Sequence, residues 1–154
     1  MPVHVLDSSV WIRIGRNHPR DIFVTLWERL EGGIADGSIR SPEEVVHELE
    51  QGDDDLAEQL KGAGGLFVPL AQPLQDAVRE VMVRCSSLAD PASDRNRADP
   101  FVVGLARLRG GIVVTEEKPR RADTAPMKIP DACGVFGLPY LNWFGFLRDR
   151  GWRL

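Results

Sequence analysis

Cysteine is scarce in this chain. Cys85 and Cys133 stand far apart in sequence, and neither belongs to a CxxC pair. That excludes a disulfide scaffold and a cysteine zinc knuckle, and it suits a reducing, cytoplasmic setting. Histidine is equally sparse, and His18 and His47 show no metal-ligand spacing with each other or with a cysteine. No apolar run reaches the ~18–20 residues needed to span a bilayer, so no membrane partner is expected. The opening Met-Pro-Val-His-Val-Leu-Asp lacks the basic region and apolar stretch of a secretory signal. The glycines form no GxGxxG, and the stretch from Gly62 to Gly65 contains no P-loop lysine, so a nucleotide cofactor is not indicated. No serine stands in a nucleophile-elbow context. Repeats, low-complexity tracts and long linkers are also missing, and residues 1–154 read as one domain with enough length to bury a core.

What is present is charge, unevenly placed. The formal net charge is -4, which by itself argues against a coat of phosphate-binding residues. Residues 1–94, however, hold 8 Lys/Arg and 17 Asp/Glu, whereas residues 95–154 hold 11 Lys/Arg and 6 Asp/Glu. An acidic feature and a basic face call for a cation and a polyanion as partners.

The hydrophobic pattern reads as alternating strands and helices. Val3 to Leu6 is a short strand, ending at a turn and cap, Asp7-Ser8-Ser9. A short helix follows from Val10, broken by Gly15 and by Asn17-His18-Pro19, and Ile22 to Ala35 is an amphipathic helix closed by Asp36-Gly37. Ser41-Pro42-Glu43-Glu44 has the form of a capping box with proline at the first helical position, opening a helix to about Gly52. Asp53-Asp54-Asp55 starts another helix, Leu66 to Val68 is a strand, and Pro73 to Cys85 and Asp99 to Leu108 are helices flanking a polar loop. Ile112 to Thr115 is the best strand in the chain. After a basic loop, Ile129 to Phe136 is a helix with Gly137 as its cap. Leu138 to Leu141 is an edge strand despite Pro139, and Asn142 caps a last helix, Trp143 to Arg150, stopped by Gly151. Such alternation predicts an α/β fold with a mostly parallel sheet and helices on both faces. His4 reads as a structural histidine, and Trp11, Trp27, Trp143 and Phe144 as core or interface packing.

In that architecture a site lies at the carboxyl ends of the strands. Asp7 follows the first strand, Glu116 and Glu117 follow Ile112 to Thr115, Asp99 opens a helix, and Glu44 and Glu48 share one helical face. Each has a plain structural reading: Asp7 and Asp99 as caps, Glu44 as the return arm of the capping box, Glu116-Glu117 as an exposed turn. Together they point elsewhere, because carboxylates converging at one end of a sheet repel unless a hard cation such as Mg²⁺ or Mn²⁺ neutralises them. Asp7, Glu48, Asp99 and Glu117 therefore resemble the acidic cluster of metal-dependent phosphodiester hydrolases. Arg95 and Arg97 on one side, and Lys118, Arg120 and Arg121 on the other, suit a phosphate backbone.

Val5-Leu6-Asp7-Ser8-Ser9-Val10-Trp11-Ile12 resembles the N-terminal motif of PIN-domain proteins. Glu48-Leu49-Glu50-Gln51-Gly52 resembles their second motif, Ala98-Asp99-Pro100-Phe101 onward their third, and Val113-Val114-Thr115-Glu116-Glu117-Lys118 their fourth. The ordered set covers essentially the whole chain and is similar to uncharacterised bacterial PIN-like proteins and to VapC-type toxins. The resemblance implies a three-layer αβα PIN-like fold and a Mg²⁺/Mn²⁺-dependent endoribonuclease. It implies the toxin of a type II toxin–antitoxin module, hydrolysing RNA with a metal-activated water, partnered by a cognate antitoxin and often dimeric. Asp7, Glu48 and Asp99 match the three core acids, Ser8 or Ser9 the small polar position beside the first, and Thr115 the polar residue before the fourth. At the fourth position a Glu replaces the usual Asp, which leaves Glu116, Glu117 and Asp131 as candidates. The competing expectation is a non-catalytic PIN-like module that binds RNA or a protein partner. A phosphoacceptor receiver domain would want paired acids after the first strand, where only Asp7 stands.

Overall fold

Three buried residues, His4, Val5 and Leu6, open the sheet as β1 (His4–Leu6) in a computed structural model that describes residues 2–89 and 97–154. The other strands are β2 (Ile39–Pro42), β3 (Phe67–Val68), β4 (Ile112–Val114) and β5 (Tyr140–Leu141). Every pairing is parallel, and the spatial order is β3-β2-β1-β4-β5. Between β1 and β2 come α1 (Ser8–Asn17) and α2 (Val24–Asp36); between β2 and β3 come α3 (Val45–Gly52) and α4 (Asp54–Gly62). Helices α5 (Gln72–Arg84) and α6 (Asp99–Arg109) lead to β4, α7 (Ile129–Phe136) leads to β5, and α8 (Trp143–Arg150) ends the fold.

From β1 the chain steps one way to β2 and β3, then returns across the sheet to β4 and β5. Right-handed crossovers then put α1 to α4 on one face and α5 to α7 on the other. Accordingly α2 packs on β2, while α6 touches β1, β2 and β4. Helix α8 joins the first face: Phe146 meets the His4 ring edge-on at 4.9 Å, and Arg150 donates to Ser38 Oγ. The core is continuous across these layers, with Trp11, Leu30 and Leu49 from the first group of helices, Val81, Val102 and Ala132 from the second, and Trp143 from α8. The architecture is the expected αβα sandwich around a parallel sheet.

Two local expectations are overturned. The capping box at Ser41-Pro42-Glu43-Glu44 does not form; Ser41 and Pro42 end β2, and α3 starts at Val45 with no side-chain cap from Glu44. Ser41 N donates to Leu66 O and Glu43 N to Val68 O, so the amide at position 42 would face β1. Proline has no amide to offer there. The Ser41 hydroxyl takes its place, donating to Leu6 O at 2.6 Å while accepting from Trp11 Nε1 at 2.9 Å. Gly15 does not break α1 either. A Cβ at Gly15 would sit 2.9 Å from Leu56 Cδ2, so the glycine lets α4 approach closely. His4 is structural as expected: fully buried, with Nε2 2.7 Å from Asp149 Oδ2 and its pKa lowered by burial. Phe144 is half exposed, with the Arg13 guanidinium 4.9 Å from its ring centroid, and so lies at the surface that an interface would use. No helix among the described residues is long and apolar enough to cross a membrane.

Candidate active site

The direction of chain travel reverses between β1 and β4, and a crevice opens at the carboxyl ends of strands at such a point. Asp7 stands at the end of β1. Thr115, Glu116 and Glu117 follow β4, so the parallel register of Leu6 with Val114 carries them to its side. Asp99 arrives from the first turn of α6 and Glu48 from α3.

Asp7 is held from several directions. Its Oδ1 accepts from Ser8 N at 2.7 Å, and its Oδ2 accepts from Ser9 Oγ at 2.8 Å and Thr115 Oγ1 at 3.0 Å. Each of those hydroxyls also fixes the neighbouring loop, Ser9 Oγ accepting from Glu116 N and Thr115 Oγ1 from Glu117 N. Ser8 Oγ lies 3.2 Å from Glu48 Oε1 and 3.4 Å from Asp7 Oδ1, so one hydroxyl hydrogen is shared between two carboxylates. Asp7 therefore caps α1 and belongs to the cluster at once.

Asp7, Glu48 and Asp99 each bring one carboxylate oxygen within 4.8 Å of the others. Asp7 and Asp99 are both only 2% exposed. Burial pushes the Asp7 carboxyl above its ordinary range, against the lowering effect of its hydrogen bonds. Asp99 is pushed up to about 10 by burial and by the negative charges of Asp7, Glu117 and Glu48. Glu117 is pushed up to about 7 by burial and by Asp7, with the Lys128 ammonium opposing. Asp99 and Glu117 lie near enough for each carboxyl to act on the other's proton affinity. Asp99 Oδ2 and Glu117 Oε2 are buried and have no hydrogen-bond partner. All-oxygen donors, orphaned buried oxygens and mutual repulsion fit a hard divalent cation, and the cluster can hold one.

The other sequence-identified acids sit elsewhere. Glu116 Oε1 pairs with Arg13 at 3.0 Å and accepts from Trp143 N. Asp131 Oδ2 accepts from Arg120 N and Lys128 N, closing both ends of the basic loop. Glu117 is thus the acid of that segment that faces the cluster. Glu44 is partly buried, its Oε2 lacks a partner, and burial raises its pKa. Glu44, His47, Glu48, Gln51, Arg97 and Phe101 line a cleft of about 410 Å³ beside the cluster. Of the basic residues, Arg97, Lys118 and Arg121 are exposed. Arg120 donates to Asp123 O and Ala125 O within its own loop. Arg95 lies outside the described residues. Lys128, whose charge acts on Glu117, escaped the sequence reading; its place directly before α7, fixed by Asp131, was the available signal. The cysteines are buried, and Cys133 is pushed up to about 12 by burial and by nearby Cys85 and Glu117, which leaves no reactive thiolate.

Comparison with solved structures returns the same architecture. The crystal structure of VapBC2 from Rickettsia felis bound to a DNA fragment from their promoter matches with a TM-score of 0.54 at 13% identity, over 92% of this chain and 98% of that one. VapBC-1 from nontypeable Haemophilus influenzae matches with a TM-score of 0.55 at 12% identity, over 92% and 98%. FitAcB from Neisseria gonorrhoeae matches with a TM-score of 0.53 at 14% identity, over 91% and 97%. The fold is therefore PIN-like, as the motif order implied. No curated protein matches the sequence. A family model described as "Domain of unknown function (DUF4411)" matches residues 4–154, and the chain belongs to that family.

Proposed function

We propose that the chain is a nuclease that hydrolyses RNA phosphodiester bonds with Mg²⁺ or Mn²⁺ in the carboxylate cluster, and that it is the toxin of a type II toxin–antitoxin module. The observation that carries this reading is the convergence of Asp7, Glu48 and Asp99 within 4.8 Å, two of them almost fully buried. Asp7 and Asp99 are the principal holders of the cation, with Glu48 and Glu117 ligating it or positioning water. When bound, the cation supplies charge neutralisation of the acids, activation of a water and stabilisation of the leaving oxygen. Ser9 and Thr115 keep Asp7 Oδ2 in one orientation, so the cluster is arranged before substrate arrives. Arg97, Lys118 and Arg121 are placed to meet the phosphate backbone on either side.

The toxin role rests on fold likeness to VapBC and FitAcB structures. It brings with it a protein antitoxin, a homodimer, a cytoplasmic setting and action as one PIN-like domain over residues 1–154. The test is cleavage of labelled single-stranded RNA in Mn²⁺ and in EDTA, for the wild type, Asp7→Asn and Asp99→Asn. Cleavage only by the wild type in Mn²⁺ supports the reading. No cleavage by the wild type in Mn²⁺ overturns it and leaves the non-catalytic module standing.

A further inference from the structure

Beside the cleft that borders the carboxylate cluster lies a second one, of about 420 Å³, lined by Val78, Met82, Ser86, Pro100, Phe101 and Arg97 among others. The two share Arg97 and Phe101. They therefore adjoin at these two residues, one cleft reaching α3 and the other α5. At one end stand Glu44 and Glu48, the latter a member of the cluster; in the middle, the exposed Arg97 and the ring of Phe101; at the other end, Val78, Met82 and Pro100. Phe101 and Met82 rest on the core by part of their surface and give the remainder to the groove.

This order of chemistry is specific. Carboxylates with a cation take a phosphate, a guanidinium takes a neighbouring phosphate or sugar, and an aromatic ring flanked by a thioether takes a flat, weakly polar ring. Gln51 and His47 add hydrogen-bonding groups to the first cleft. A single-stranded nucleotide presents phosphate, sugar and base in that sequence, whereas an apolar peptide has no use for the acidic end.

We infer that the groove is a nucleobase subsite, in which the base next to the scissile phosphate of a single-stranded RNA stacks on Phe101 while Arg97 contacts its backbone. The inference rests on the nuclease reading and deepens it, by naming an unpaired strand as the substrate and Phe101 as a contact to its base.

The probe is a 5′-labelled hexaribonucleotide and its counterpart with one abasic position, titrated by fluorescence anisotropy into the full chain with Ca²⁺ and again in EDTA. Phe101→Leu keeps apolar volume without a π face, and Phe101→Tyr keeps the ring. Stacking on an aromatic ring corresponds to roughly a 5- to 100-fold change in affinity. Phe101→Leu should therefore weaken the base-bearing strand about tenfold and leave the abasic strand unchanged, with Phe101→Tyr close to wild type. No binding by the wild type, no effect of Phe101→Leu, or an equal loss for both strands overturns the subsite; no effect of Phe101→Leu is the result expected if the groove receives a protein segment instead. Cleavage in Mn²⁺ separates the two claims. A wild type that binds through Phe101 yet does not cleave retains the subsite and loses the nuclease, and one that cleaves with Phe101→Leu still binding fully does the reverse.

Discussion

Asp99→Asn should stabilise the cation-free protein. The Asp99 carboxyl, ordinarily at 3.8, is pushed up to about 10 in the fold, so at neutral pH the folded chain holds a proton that the unfolded chain has released. Such a group contributes stability that is complete below its unfolded value and is lost as pH rises toward its folded one. At pH 7 the loss has a ceiling of about 4 kcal/mol, at 1.36 kcal/mol for each pH step between 3.8 and 7. An asparagine is neutral at every pH and can donate to the surrounding carboxylates, so it escapes that cost. Relaxation and a higher effective dielectric bring the expected gain to about 2–4 kcal/mol. For a chain of this size that is a rise in Tm of roughly 5–10 °C. The assay is thermal unfolding in EDTA between pH 5 and 9. Wild-type Tm should fall across the range, and Asp99→Asn should lie higher and vary less, with the residual slope coming from Glu117, pushed up to about 7, and from Asp7, whose carboxyl burial also raises. A wild-type Tm that is flat in pH, or an Asp99→Asn protein less stable than wild type at pH 8, refutes the electrostatic account of the cluster.

Three further outcomes follow from single contacts. Glu117→Gln should abolish Mn²⁺-dependent RNA cleavage while Glu116→Gln retains most of it, because Glu117 faces Asp99 and Glu116 is engaged by Arg13 and Trp143 N; steady-state cleavage rates separate them. Ser41→Ala removes the buried hydroxyl that accepts from Trp11 Nε1 and donates to Leu6 O, and should cost about 2–4 kcal/mol by urea unfolding. Gly104→Ala would set a Cβ 2.9 Å from Val78 Cγ2 and 3.3 Å from Val78 Cα, so separating α5 from α6 should cost about 1–3 kcal/mol in the same assay.

Much of the fold was legible because local chemistry and tertiary structure agree. Helices α7 and α8 begin and end where Pro130, Gly137, Asn142 and Gly151 place them, and both C-terminal glycines have the positive φ that a cap requires. Legibility failed where a distant partner decides. Ser41-Pro42 reads as a helix start on local rules, yet it forms strand because β1 and β3 flank it and the Ser41 hydroxyl replaces the amide that proline lacks. Gly15 reads as a breaker because its closeness to Leu56 is invisible along the chain. Among the acids, residue type and order brought Asp7, Glu48 and Asp99 forward as candidates, and the fold brings these three together in space. Type and order could not decide between Glu116 and Glu117, since adjacent residues leave a turn in different directions and only the Arg13 contact reveals which one turns away. The charge asymmetry is likewise resolved in space, with Lys118 and Arg121 exposed on the loop after Glu117 and Arg97 in the cleft beside Glu48.

The most direct test of the central claim is a calorimetric titration of Mn²⁺ into the full chain at pH 7, in two buffers of different ionisation enthalpy, for the wild type and Asp7→Asn. Because Asp99 holds a proton in the cation-free fold, binding should release protons, and the apparent enthalpy should depend on the buffer. The account predicts buffer-dependent binding by the wild type that is lost in Asp7→Asn. Absence of wild-type binding, or binding that survives Asp7→Asn unchanged, would contradict it.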